Sequence, residues 1–227
     1  MAPPPIDVGP AGRAAGDPHT EPHWASSALV TIDVQVDVLD GGALAVPGTS
    51  SVLSTLTGLV RAFRVARRPI VHVVRLYPAD GRDVDRVRRT LVASGRPVLA
   101  PGTPRVELAP GLTPDGVELD AARFMAGEVQ PVGRDEVVIF KPRWGAFYRT
   151  ALAEHLAAGD VDTVVVAGAN FPNCPRTTLY EASERDFRLV LAADATSGLS
   201  VGGASEVAAI GVAVLAVAEI AAALLAP

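Results

Sequence analysis

A single cysteine, Cys174, rules out any disulfide within the chain. Positive charge is sparse as well: the formal net charge is −5 and the arginines are scattered, with no basic block or stripe to follow a phosphate backbone. Nucleic acid is therefore not an expected partner. The start, M-A-P-P-P-I-D, has neither a basic n-region nor an apolar h-region, so a reducing cytoplasm is the expected location. The longest apolar run, residues 205–226, approaches spanning length. It is dominated by alanine, contains Glu206 and Glu219, and lacks flanking Lys or Arg and an aromatic belt. A buried or interface helix is expected there, with no membrane partner. Internal repeats, a G-x-G-x-x-G after the first strand and a G-x-x-x-x-G-K-[ST] are all missing. No nucleotide fingerprint remains, and no cofactor is expected.

What is present suits one soluble globular domain with a sizeable core: 227 residues, 49% hydrophobic and 20% charged. Residues 1–27, rich in Pro, Gly and Ala and without an apolar period, read as an N-terminal arm, and residues 28–227 as a single domain. From residue 28, short β-branched runs alternate with helix-period segments, the pattern of βαβ units around a parallel sheet. Strands are expected at Ala28–Val34, Ile70–Val74, Val137–Phe140, Thr163–Ala167 and Phe187–Ala192. Val52, Leu56, Leu59, Val60 and Phe63 fall on one helical face, and Val84, Val87 and Leu91 suggest a shorter helix. Leu152 and Leu156 mark another helix, and Cys174-Pro175 opens one running to about Asp186. Residues 94–133, broken repeatedly by Pro and Gly, read as a long excursion over the surface.

In an open parallel α/β sheet, ligands bind outside the carboxyl ends of the strands, so reactive side chains there are the candidates. Three qualify: Asp33 at the end of the first strand, Lys141 at the end of the third and Cys174 on the loop after the fourth. Pro175 suits the first helical position and makes Cys174 the expected N-cap, where the positive helix end favours thiolate. A lone cysteine is in most settings a small buried hydrophobe, but the strand-to-helix position argues for a nucleophile. Histidine is the usual base for a thiol, yet His19 and His23 lie in the arm, His72 inside a strand and His155 on a helix. Asp33 is the best remaining base. Lys141, the one lysine of this central region, would supply positive charge to thiolate and carboxylate together.

These residues sit in recognisable company. The stretch Ala28–Gly48, A-L-V-T-I-D-V-Q-V-D-V-L-D-G-G-A-L-A-V-P-G, resembles the opening D-x-Q-x-D motif of isochorismatase-like hydrolases, nicotinamidases among them. Lys141–Phe147, K-P-R-W-G-A-F, resembles their lysine motif, and Gly168–Thr178, G-A-N-F-P-N-C-P-R-T-T, is similar to the loop that carries their nucleophile. The motifs occur in the right order across about residues 28–200. The resemblance implies a Rossmann-like three-layer α/β/α sandwich with a mostly parallel sheet and a triad of Asp33, Lys141 and Cys174. It also implies a cis peptide at Ala169-Asn170, with the backbone N–H groups of Asn170 and Cys174 forming an oxyanion hole. Assembly into homo-oligomers is implied too, the apolar 205–226 segment fitting either core or interface.

Gln35, Arg75, Trp144 and Phe147 are the expected pocket walls, Arg75 being suited to a carboxylate; Trp144 and Phe147 fit core packing equally well. Metal-binding nicotinamidases carry an Asp-x-His and a further His after the second strand, where this chain reads R-L-Y-P-A-D-G-R-D from Arg75 to Asp83. No metal is expected. The nucleophile loop reads F-P-N-C where many relatives have T-N-x-C, so substrate contacts there should differ. The expected activity is that of a metal-independent cysteine hydrolase, an amidohydrolase cleaving an amide or ureido C–N bond of a small molecule through a thioester. One alternative is vinyl-ether hydrolysis of the isochorismatase type, with Asp33 acting as acid. Another is a non-catalytic ligand-binding or redox-sensing protein of the same fold.

Overall fold

The computed structural model describes residues 17–114 and 116–226, so positions 1–16 of the expected arm lie outside the described residues. The rest of the arm is tied to the body of the protein. His23 Nδ1 lies 2.5 Å from Asp162 Oδ2, and Arg188 donates to the carbonyls of Pro18 and Glu21.

Seven strands form one sheet in the order β3-β4-β2-β1-β5-β6-β7. They are β1 (Ser27–Ile32), β2 (Ile70–Val74), β3 (Gln130–Gly133), β4 (Glu136–Phe140), β5 (Thr163–Gly168), β6 (Arg188–Thr196) and β7 (Ala213–Leu215). Only the edge pair β3–β4 is antiparallel. The central strands β1, β2 and β5 are buried at every residue, as continuous Val/Ile/Leu runs in a parallel sheet covered on both faces must be. Alternate residues feed two cores. Leu29 packs with Leu59 and Phe63 of helix α1 (Thr49–Ala66) and with Ile220 and Leu224 of α7 (Val217–Leu224). Val30 and Ile32 pack on the opposite face with α4 (Leu152–Ala158), α5 (Cys174–Ser183) and α6 (Val201–Ala208). Two further helices, α2 (Arg86–Ala93) and α3 (Ala121–Met125), lie in the excursion between β2 and β3.

The chain leaves β1 toward β2 on one side, while β5 lies on its other side, so strand order reverses between β1 and β5. A crevice opens at such a switch point, outside the carboxyl ends. Gly168 makes the close approach possible. With φ of +119°, it sits where a Cβ would collide with the carbonyl oxygen of Ile32.

A buried polar chain stitches the sheet laterally. His72 of β2 lies 2.7 Å from Thr31 Oγ1 of β1 through Nδ1 and 2.9 Å from Glu136 Oε1 of β4 through Nε2. Arg64 of α1 donates to both oxygens of Glu136, at 2.8 and 2.7 Å.

Four expectations change. The first strand ends at Ile32 because Asp33 turns the chain with φ of +53°, a conformation that Asp tolerates better than most residues. The last expected strand continues past Ala192 to Thr196, and the long excursion supplies an edge strand, β3. Residues 205–226 are not one helix. α6 stops at Ala208, Gly211 (φ +85°) reverses the chain, Ala213–Leu215 join the sheet beside β6, and α7 follows. The β-branched Val212 and Val214 fit a pleated edge better than the alanine count around them suggests. Among the described residues, no helix is long and apolar enough to cross a membrane.

Candidate active site

A cleft of about 230 Å³ opens at the carboxyl ends of β1 and β5, lined by Asp33, Arg75, Tyr77, Trp144, Asn170 and Cys174 among others. That volume is below the ~300–1,000 Å³ of pockets for drug-sized ligands, so it suits a small molecule. Asp33 projects from the turn after β1. Lys141, immediately after β4, reaches over the end of β2 and donates from Nζ to Asp33 Oδ2 at 2.8 Å. Its second acceptor is the carbonyl of Arg143, at 3.2 Å. The lysine side chain is wholly buried and is the only lysine in the sequence. The other carboxylate oxygen, Asp33 Oδ1, is buried and takes no nitrogen donor, and the Cys174 thiol lies close enough for the Asp33 side chain to act on it by charge and hydrogen bonding.

Cys174 opens α5 as its first residue. The N-cap is Asn173, not Cys174 as its neighbour Pro175 suggests, because the proline takes the second helical position. The thiol is buried, and burial pushes its pKa up to about 11; the Asp33 charge acts in the same direction, and Lys141 and Arg75 oppose both. The expectation of a thiol acidified by nearby cations is overturned: desolvation and the carboxylate outweigh Lys141 and Arg75.

The structure also overturns the expected cis bond. All described peptide bonds are trans, Ala169-Asn170 included. The loop is fixed instead by Ala169 N–H donating to Ile32 O and Phe171 N–H donating to Ser197 O. Among the described residues, no acceptor takes the amide N–H of Asn170 or of Cys174, and both residues line the cleft.

Of the expected walls, Arg75 and Trp144 line the cleft, while Gln35 and Phe147 do not. Gln35 is a buried brace: its Nε2 donates to the carbonyls of Arg75 and Val106, and its Oε1 accepts from Arg75 N–H. Phe147 packs in the opposite core, its ring centroid 5.7 Å from that of Phe187, so its role is packing. Arg75 is buried between rings, its guanidinium 5.7 Å from Tyr77 and 5.9 Å from Trp144. It donates from Nη1 to Asp85 Oδ2 and to the carbonyl of Pro142. Burial opposes the arginine's charge, but Asp33, Tyr77, Cys174 and Asp85 raise its pKa above the ordinary value.

Sequence reasoning passed over three residues here. Tyr77 and Arg88 line the cleft from the excursion, and no motif flags either. Asp37, the second acid of D-x-Q-x-D, was legible but without a role. It is fully buried, its Oδ1 accepting from Ala43 N–H and Arg105 Nη1 and its Oδ2 from Leu99 N–H. It thereby pins the two segments that supply Ala43–Val46 and Leu99 to the cleft wall.

The residues do not fit a bound metal. Positions 75–83 offer no imidazole, and among the described residues no three His, Cys, Asp or Glu side chains converge.

The isochorismatase domain matches residues 27–126 and 121–223. A probable inactive nicotinamidase of Arabidopsis thaliana is 32% identical over 178 residues, 77% of this chain and 82% of that protein. The maleamate amidohydrolase of Pseudomonas putida is 30% identical over 166 residues, 72% of this chain and 68% of that protein. The crystal structure of an isochorismatase family protein from Desulfovibrio vulgaris superposes with a TM-score of 0.73 at 30% identity, covering 88% of this chain and 99% of that one. With the domain matched over nearly its whole described length and the sheet shared, the chain belongs to the isochorismatase family, the isochorismatase-like cysteine hydrolases.

Proposed function

We propose that the protein hydrolyses an amide or ureido C–N bond of a small molecule through a thioester on Cys174. The observation that carries the reading is the convergence in one small cleft of the Cys174 thiol and the Asp33 carboxylate, the latter held from outside the cleft lining by the buried ammonium of Lys141. Asp33 takes the thiol proton as sulfur attacks the substrate carbonyl carbon. Burial and the Asp33 charge raise the thiol's pKa, which favours proton transfer in concert with the attack, and Lys141 keeps the carboxylate in place. Charge developing on the carbonyl oxygen falls to the uncommitted N–H groups of Asn170 and Cys174. The C–N bond breaks as Asp33 returns the proton to the leaving nitrogen, releasing ammonia or an amine and leaving an acyl thioester. Water, deprotonated by Asp33, then attacks the thioester; the acid departs and the thiolate recovers its proton.

The Pseudomonas relative, an amidohydrolase by name, supports C–N cleavage. The Arabidopsis relative, named as probably inactive, favours a second reading, a ligand-binding protein of the same fold. Assay of primary amides and ureido acids for released ammonia separates the two. Turnover lost in Cys174→Ala supports the hydrolase. No turnover on any member of the panel, with ligand binding retained, supports the binding protein.

A further inference from the structure

The residue before the nucleophile does not do what its kind usually does at that position. Asn173 is the N-cap of α5, where an asparagine oxygen ordinarily accepts from an N–H of the first helical turn, and it makes no such bond. Its backbone, at φ −116° and ψ −96°, lies outside the favoured regions. The side chain turns to the loop instead. Nδ2 donates to Asn170 Oδ1 at 3.2 Å, and the backbone closes a tight turn between the same two residues, Asn173 N–H donating to Asn170 O at 3.0 Å. Both asparagines are half-buried and both line the cleft with Cys174. With Nδ2 held by Asn170, Oδ1 is the end of the Asn173 amide left to accept. It has no hydrogen-bond partner among the described residues, and unlike Asp33 Oδ1 it is not sealed from solvent.

One role in the reaction has no other residue to fill it. In the hydrolase reading, on which this inference rests, the substrate carbonyl oxygen meets the N–H groups of Asn170 and Cys174, and Asp33 passes a proton to the leaving nitrogen. To receive that proton, the nitrogen must turn its lone pair toward Asp33, so its own N–H bonds need an acceptor elsewhere. Asp33 itself is occupied by Lys141 and by the proton in transit. From this geometry we infer that Asn173 Oδ1 is the acceptor: it takes an N–H of the scissile amide or ureido nitrogen. Asn170 is a positioning residue, holding Nδ2 so that the oxygen end of Asn173 is presented. Asn173 is then a specificity-determining residue for the bond that is cut. It favours a leaving nitrogen that carries hydrogen over the ester of the same acid, whose leaving oxygen has no proton to give and meets Oδ1 lone pair to lone pair.

Matched amides and esters test this: succinamate with monomethyl succinate, nicotinamide with methyl nicotinate, and N-carbamoylglycine with N-(methoxycarbonyl)glycine. Affinities are measured calorimetrically in Cys174→Ala and kcat/KM in proteins that keep the thiol. Esters are intrinsically the more reactive, so the readout is the amide-to-ester ratio of each variant relative to wild type. In Asn173→Leu, close in shape but without an acceptor, and in Asn173→Gly, which suits an N-cap, the kcat/KM ratio should fall about tenfold or more. The same substitutions on the Cys174→Ala background should abolish any preference for binding amide over ester. Asn170→Ala, which keeps the backbone N–H, should lower the ratio by less. Asn173→Asp, which keeps an acceptor oxygen, should recover most of it, as a misfolded loop would not. A ratio unchanged in Asn173→Leu and Asn173→Gly, or lost equally in Asn173→Asp, overturns the inference and leaves the hydrolase reading standing. Asn173-dependent preference for binding amides, with no turnover of any pair, keeps the contact and sinks the hydrolase reading instead. If no amide of the panel binds or turns over, both fall.

Discussion

Lys141 Nζ and Asp33 Oδ2 meet at 2.8 Å across the end of β2, the strand that lies between theirs, and the lysine is wholly buried where they do so. The pair is a mutual requirement: without the ammonium, Asp33 is a mostly buried carboxylate stripped of its ion-paired donor. Lys141→Met should therefore destabilise the fold by about 3–5 kcal/mol, as breaking a buried pair from one side does, and lower turnover at least about a hundredfold. The double variant Asp33→Asn/Lys141→Met should regain much of the stability and none of the activity. Urea denaturation and initial rates on the four members of the cycle check this; additive stability losses would dismiss the coupling.

Cys174 should be slow to alkylate at pH 7, since burial and the Asp33 charge hold its thiol up to about 11. Iodoacetamide labelling followed by intact mass should accelerate as pH rises toward that value. Asp33→Asn removes the repulsion and should speed labelling at a given pH, whereas Lys141→Met should slow it. Labelling already fast and flat from pH 6 upward would mean a resting thiolate and would reverse the assigned order of proton transfer and attack.

The parallel sheet, its central strands and the three candidate residues at its carboxyl edge were legible because each rests on a short-range pattern. A run such as Thr163–Ala167, in which every residue is apolar or β-branched, has few ways to be anything but a buried strand. Gln35 and Phe147 misled because polarity or aromaticity near a motif says nothing about direction; one turned inward to brace Arg75, the other into the far core. The thiol's acidity was misjudged for a related reason. Cations close in space were countable from topology, but the desolvation that outweighs them depends on how tightly the loops close. Arg88 and Tyr77 reach the cleft from an excursion with no periodicity to place it.

Acid should unfold the protein through Glu136. Burial alone would raise the pKa of this carboxyl, but hydrogen bonds and charge from Arg64 and His72 bring it from the ordinary 4.5 down to about 2. A pKa lower in the folded than in the unfolded chain means stabilisation fully present above about pH 4.5 and lost as pH falls through about 2. Glu136→Gln should lower stability by a few kcal/mol at pH 7, and the gap to wild type should narrow steadily below pH 4.5. Urea midpoints measured from pH 7 to 2.5 would refute this if the two curves stayed parallel.

Asp37 is expected to act on binding more than on chemistry. It touches none of the three candidate catalytic residues, yet its two oxygens hold Ala43 N–H, Leu99 N–H and Arg105 Nη1 at 2.7–2.8 Å, and the segments so held form much of the cleft wall. Asp37→Ala strands two amide donors, each costing about 1–3 kcal/mol if it stays buried. The wall can escape that cost only by opening to water, which loosens the surface the substrate rests on. KM should therefore rise about tenfold while kcat falls far less, and amide exchange should quicken at residues 43–46 and 99. Asp37→Asn, which keeps one acceptor but loses the charge facing Arg105, should lie between the two. If kcat collapses with KM unchanged, Asp37 belongs to the reaction itself and not to the wall.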